Sequence, residues 1–268
     1  MKEETMKNYF KERRENKMTN HFMTMPSKTF RAKSLLFAIF TMLAVTPVTN
    51  AMHIMEGYLP LGWCISWDLI CIPFLVIGFI KIRKIVENDR KNITLLAITG
   101  AFVFVISSLK IPSVTGSCSH MTGTGLGAIL FGPCVTSILG LIVLLFQAIL
   151  LAHGGLTTLG ANCFSMAIAG PIVSWAVYNG LKKANVNKKF SIFLAAFLGD
   201  LFTYCVTSVE LAAAYHTGGF GAALVKFLAN FAATQIPLAV IEGILTVIIM
   251  IGLESYAGEE LKALGAAN

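Results

Sequence analysis

Charge is what this chain has least of. Of its 268 residues only 13% are Asp, Glu, Lys or Arg while 56% are apolar, and the mean hydropathy is +0.73. One water-soluble core of that length could not hide so much apolar surface, so an ordinary soluble domain is excluded and the bilayer becomes the solvent. Chemical motifs are missing too. The sequence holds no Gly-x-x-x-x-Gly-Lys run, so it has no phosphate-cradling loop with which to hydrolyse ATP. It also has no His-Glu-x-x-His helix, the frame that a metallopeptidase needs for its zinc and its general base. The six cysteines (64, 71, 118, 134, 163 and 205) never form Cys-x-x-Cys and lie mostly in apolar stretches. That argues against a disulfide framework or a thiolate zinc site and for small buried apolar residues.

The formal charge of +7 is concentrated at one end. Residues 1–51 carry nine Lys/Arg against four Glu, leaving +5, and the remainder carries twelve against ten, leaving +2. The excess therefore orients membrane insertion and gives no reason to expect nucleic acid. Residues 1–33 are basic, Ser34 to Val45 form a short apolar run, and Pro47 precedes the small triplet Thr49-Asn50-Ala51. This pattern predicts a leader and cleavable signal peptide over 1–51, cut after Ala51, and an integral membrane domain over 52–268. An uncleaved signal anchor is the alternative, and Met18 or Met25 are further candidate start sites.

Apolar stretches at about 60–82, 93–109, 121–132, 134–152, 160–182, 190–214 and 226–253 predict an all-α, polytopic membrane protein of about seven transmembrane helices, the third short and Gly-rich. Seven crossings that start outside place the basic clusters Lys81 to Lys91 and Lys182 to Lys189, and the C-terminus, in the cytoplasm. The stretch 121–152 is accordingly expected to turn back at Gly132-Pro133. Small residues at helix-contact spacing (Gly123 with Gly127, Ala195 with Gly199, Ala212 to Ala214) permit close backbone approach, within the chain or to another membrane subunit.

Cleavage after Ala51 would expose Met52-His53, putting an α-amine, a backbone nitrogen and an imidazole on adjacent atoms. Chelation through all three closes fused rings, and an all-nitrogen set of this kind suits Ni(II) or Cu(II), with Co(II) a further occupant. His120 is the natural fourth donor, because its polar loop, Ser113 to His120, falls on the same outer side. His153 and His216 also lie outside. They are expected as supporting or loop residues, His153 the nearer to the site. Glu56, Ser119, Asn162 and Gln235 are candidates for orienting the ligands. Asp200, Glu210 and Glu242 sit inside apolar spans and need partners or a cavity; packing and the ion route are both open for them. No catalytic residue is expected.

These segments carry a resemblance. Met52-His53-Ile54-Met55-Glu56-Gly57-Tyr58-Leu59-Pro60 resembles the mature start of the CbiM family, the substrate-specific (S) components of energy-coupling factor (ECF) cobalt transporters. Leu109 to His120, Gly123 to Gly127, His153 to Asn162 and Thr234 to Ala239 resemble the same pattern, so the likeness covers most of residues 52–254. The resemblance implies an ECF S-component fold in a prokaryotic cell membrane. It also implies a metal held by the Met52 amine, the His53 backbone nitrogen, the His53 side chain and His120. The partners it implies are a coupling membrane subunit, two ATP-binding subunits and a small auxiliary membrane protein, with imported Co(II) supplying cobalamin biosynthesis. Met121 stands where that pattern has Pro.

Nickel-uptake S components share the Met-His start, so transported Ni(II) is the rival within the class, although the Gly-Ser-Cys-Ser-His form of the loop favours cobalt. No cofactor is expected beyond the transported ion. An intramembrane metalloenzyme is the rival from another class. A membrane metal sensor would need an output domain, for which the tail from Glu254 to Asn268 is too short.

Overall fold

The computed structural model describes residues 53–112, 118–216 and 218–264; the leader expected over 1–51 and the candidate ligand Met52 lie outside the described residues. Apart from one two-residue β pairing, the described chain is helical. In order it forms α1 (Leu61–Asn88), α2 (Asn92–Ser108), β1 (Ile111–Pro112), β2 (Cys118–Ser119), α3 (Thr124–Phe131) and α4 (Pro133–Leu151). It continues with α5 (Leu159–Lys183), α6 (Lys188–Ala214), α7 (Phe220–Tyr256) and the short α8 (Gly258–Ala263).

Helices dominate because hydrocarbon offers backbone N–H and C=O groups no partner, and a helix satisfies them internally. Five of them, α1, α4, α5, α6 and α7, are long and apolar enough to cross a membrane. α2 has 17 residues, at the lower limit for a span. α3 has eight, about 12 Å at 1.5 Å per residue, and cannot cross alone. The seven expected segments are thus present in order, but the third is an internal element: every residue from Thr124 to Leu130 is buried.

The outside is apolar and the inside holds the polar groups, the reverse of a soluble protein. Leu61, Leu69 and Phe79 on α1 are 61–69% exposed, whereas Thr99, Ser107, Gln147, Asp200, Glu210 and Glu242 are fully buried. Lipid on the outer surface accounts for both halves of that pattern. α1 outlasts its apolar run because Lys81, Arg83 and Lys84 are good helix formers whose long stems carry charge toward the polar layer. It ends at Asp89, whose carboxylate accepts from the Lys91 N–H at 2.9 Å and whose carbonyl accepts from the Asn92 N–H at 3.1 Å, starting α2.

The expected turn at Gly132-Pro133 is present. Gly132 has φ +83°, closes α3 and precedes Pro133 at the start of α4, where a missing N–H costs nothing. The two helices fold back against each other: a Cβ on Gly127 would lie 3.0 Å from Thr136 Oγ1, residues that a continuous helix would hold about 13 Å apart. The small residues serve packing inside the chain. A Cβ on Gly125 would meet Ala196 Cα at 2.9 Å, and one on Gly199 would overlap the Ser174 side chain, so α3, α5 and α6 touch through backbone.

Candidate metal centre

Three segments far apart in sequence converge near one end of the helices. The first is His53 to Pro60, tied down along its length before α1 begins. Asn162 on α5 grips Ile54 as a neighbouring strand would: its Oδ1 accepts from the Ile54 N–H at 2.7 Å and its Nδ2 donates to the Ile54 carbonyl at 3.0 Å. Thr158 Oγ1 donates to the same carbonyl at 2.6 Å. Two residues on, the Glu56 carboxylate accepts from the N–H groups of Leu156 and Thr157. These bonds, the Thr157 hydroxyl's first among them, hold Glu56 below the usual carboxylate range. The Tyr215 hydroxyl donates to the Tyr58 carbonyl, and Ile54 and Leu59 are buried beneath. A Cβ on Gly155 would fall 2.5 Å from Glu56 Cα and 2.6 Å from its nitrogen. Only glycine lets the two backbones lie this close.

The second segment is the loop carrying His120. Ile111 pairs with Ser119 and Pro112 with Cys118 in an antiparallel bridge that closes the loop just before His120. The His120 carbonyl accepts from the Tyr204 hydroxyl at 2.6 Å and from Gln235 Nε2 at 3.2 Å, and Gln235 also donates to Asp200 at 2.5 Å. Glu242 accepts from the Thr122 N–H at 2.6 Å and from the Thr122 hydroxyl at 2.9 Å, while Ser119 Oγ lies 2.7 Å from Thr234 Oγ1. Asp200 and Glu242 therefore hold the loop from beneath through α6 and α7. Glu210, also fully buried, has no hydrogen-bond partner among the described residues.

The third segment leaves α4 at Ala152, a non-glycine residue at φ +46°, which turns His153 inward as its N–H bonds to the Gln147 carbonyl at 3.1 Å. His53, His120 and His153 are each 0–2% exposed. Their ring centroids lie 4.5 Å apart for His53 and His120, 4.4 Å for His53 and His153, and 4.8 Å for His120 and His153. One ligand nitrogen from each lies within 4.8 Å of the others. Donors on one metal with bonds of about 2.0–2.1 Å lie roughly 3–4 Å apart, so modest side-chain movement would bring all three onto one ion.

Hydrogen bonds assign the free lone pairs. His120 Nδ1 faces the Met121 carbonyl at 2.8 Å; a carbonyl only accepts, so Nδ1 carries the proton and the unpartnered Nε2 offers its lone pair inward. His53 Nε2 lies 3.2 Å from the Met166 thioether, also an acceptor, which leaves the unpartnered Nδ1 as the donor atom. That is the nitrogen an amine-led chelate needs. Burial, with the neighbouring imidazoles of His153 and His120, pushes His53 well below its ordinary value. Burial brings His120 to about 4 against the opposing pull of the Met121 carbonyl. His153, through burial and then the His120 ring, falls to about 2. Three neutral imidazoles result, as ligation of a soft or borderline dication requires.

Of the residues singled out in the sequence, His53 and His120 come together, and His153 joins them at ring distance instead of standing behind them. Asn162 and Glu56 grip the N-terminal segment, Ser119 and Gln235 the His120 loop. His216 is exposed, with Nδ1 3.1 Å from the Ala213 carbonyl, and takes no part. Met166 was not foreseen: it lies within Cys163–Ala169, where α5 is wound as a π-helix, and no sequence signal marks either.

The family model described as "Cobalt uptake substrate-specific transmembrane region" matches residues 53–260. The chain belongs to the CbiM family. A relative from Lachnoclostridium phytofermentans named cobalt transport protein CbiM is 65% identical over 246 residues, 91% of this chain and 98% of the relative. One of the same name from a Nostoc species is 52% identical over 231 residues, 85% of this chain and 88% of the relative. A crystal structure described as a truncated transition metal transporter superposes with a TM-score of 0.67 at 27% identity, covering 76% of this chain and 99% of that one. CbiM membership and the apolar helices together make the chain a multi-pass membrane protein.

Proposed function

We propose that the chain is the substrate-binding component of a cobalt-uptake transporter and not an enzyme. The observation that carries this reading is the convergence of three buried imidazoles, with the free lone pairs of His53 Nδ1 and His120 Nε2 assigned by hydrogen bonds, beside a docked N-terminal segment; the transport names of the CbiM relatives support it. The dication is held by the Met52 amine, the His53 backbone nitrogen, His53 Nδ1 and His120 Nε2. The leader is cut after Ala51 to free that amine, the mature N-terminus lies outside, and the C-terminus is cytoplasmic.

Capture strips water from the ion, because His53 and His120 are buried. Release inward follows when the component reorients against a coupling membrane subunit. ATP is hydrolysed by two ATP-binding subunits, a small auxiliary membrane protein completes the complex, and the cobalt supplies cobalamin synthesis. The sequence's lack of an ATP-binding loop supports this division of labour.

The test joins intact mass and N-terminal sequencing of the purified membrane protein with metal analysis after cobalt loading, on wild type and His53→Ala. The expected result is a start at Met52 and about one cobalt per chain, lost in the variant. Cobalt bound by a protein that still carries its leader refutes the amine ligand.

A further inference from the structure

A planar set of four nitrogens is complete for Ni(II) or Cu(II), yet the cluster holds one more imidazole than that set uses. His153 is 1% exposed and both of its ring nitrogens lack a partner among the described residues. A buried imidazole with neither nitrogen satisfied is rare and calls for a ligand. The backbone around it is bent to place it. Ala152 is left-handed at φ +46° without being glycine, and Gly154 follows at φ +78°, a conformation a neighbouring non-glycine residue adopts only when the fold enforces it. The His153 ring meets those of His53 and His120 at 71° and 67°, while those two lie at 43° to each other. His153 thus stands within 4.4 and 4.8 Å of the other two rings, near enough for one of its nitrogens to reach an ion that they hold.

We propose that His153 supplies a fifth, axial nitrogen to the bound dication and that this donor favours Co(II) over Ni(II), an inference that rests on the transport reading above. Planar Ni(II) gains little from an axial base, whereas Co(II), with one electron fewer, binds one readily. His153 is then a selectivity determinant, and the strained Ala152 is what holds it over the site.

Cobalt-loaded wild type, His153→Ala and His153→Gln decide the matter by electron paramagnetic resonance and by Co(II)/Ni(II) competition. Wild type is expected to show cobalt lines split into triplets by one axial ¹⁴N. Both variants should lose the splitting, and their preference for cobalt over nickel should fall at least tenfold. Added free imidazole should restore the triplet in His153→Ala, a rescue that a merely structural histidine would not show. A wild type that binds cobalt without the triplet, or variants that keep both splitting and preference, overturns the axial role and leaves the transport reading intact. A wild type that binds no cobalt overturns both. If His153→Ala does not fold, His153→Gln and the wild-type spectrum carry the test.

Discussion

Asn162→Ala tests whether the clamp on Ile54 positions the candidate ligands. The substitution removes the bonds to the Ile54 N–H and carbonyl at 2.7 and 3.0 Å. The carbonyl keeps its bond from Thr158 at 2.6 Å, but the buried N–H is left with nothing. One lost bond at about 1 kcal/mol and one orphaned N–H at about 1 kcal/mol or more weaken docking by about 2 kcal/mol, a factor of roughly 30. Hydrogen exchange across residues 53–57, measured by mass spectrometry on protein in nanodiscs, reads that opening equilibrium directly and should speed up about 30-fold. Cobalt affinity should fall by up to the same factor, since only the docked segment presents His53. Thr158→Ala, which removes one bond to the segment and leaves the Ile54 carbonyl still held by Asn162, should give a much smaller change. Exchange in Asn162→Ala within threefold of wild type would refute the reasoning, because the clamp would then contribute nothing to docking.

Three further outcomes are expected. With His120 near 4 and His153 near 2, no imidazole competes with metal by taking up a proton between pH 6 and 8. Cobalt affinity should then rise with pH only through loss of the amide proton and, below its ordinary range of about 7.7–8.0, the amine proton. An inflection near 6.5 in isothermal titration with the segment still fully docked would contradict the neutral site. The same depression makes docking pH-dependent, since undocked imidazoles protonate near 6.5 and buried ones resist: protection of the segment relative to the intrinsic exchange rate should be steady above about pH 6.5 and fall as pH drops toward 4. Gly155→Ala, whose Cβ would strike Glu56, should cut cobalt binding more than tenfold. Gly62→Ala, with nothing within 4 Å, should leave it unchanged in equilibrium dialysis.

Much of the helical layout was legible because apolar length reports directly on a lipid solvent. The expected stretches 93–109, 134–152 and 160–182 correspond to Asn92–Ser108, Pro133–Leu151 and Leu159–Lys183. The ends of α1 and α7 were not legible, since helices run on past the hydrocarbon wherever polar residues are also good helix formers. The π-wound stretch of α5 left no trace either, because its residues are as apolar as any helix interior. At the site, His53 and His120 could be singled out from the chemistry of a Met-His end and a polar loop. His153 could not be placed within the cluster, since that depends on one left-handed residue, Ala152. The buried acids needed partners, but only the fold shows that Asp200 meets Gln235 and Glu242 meets Thr122, residues 35 and 120 positions away.

Among the described residues, the cluster of ligand-bearing side chains contains three histidines and no carboxylate. Three uncharged rings and an uncharged amine leave the ionised amide as the sole negative donor, so a dication in the proposed site keeps a net charge of about +1 amid low-dielectric surroundings. Hard ions such as Mg²⁺ and Ca²⁺, which depend on anionic oxygen, have no foothold there. In the proposed site, what holds the transition metal is directional bonding. Once the segment shifts and that geometry is broken, no carboxylate within the cluster detains the ion.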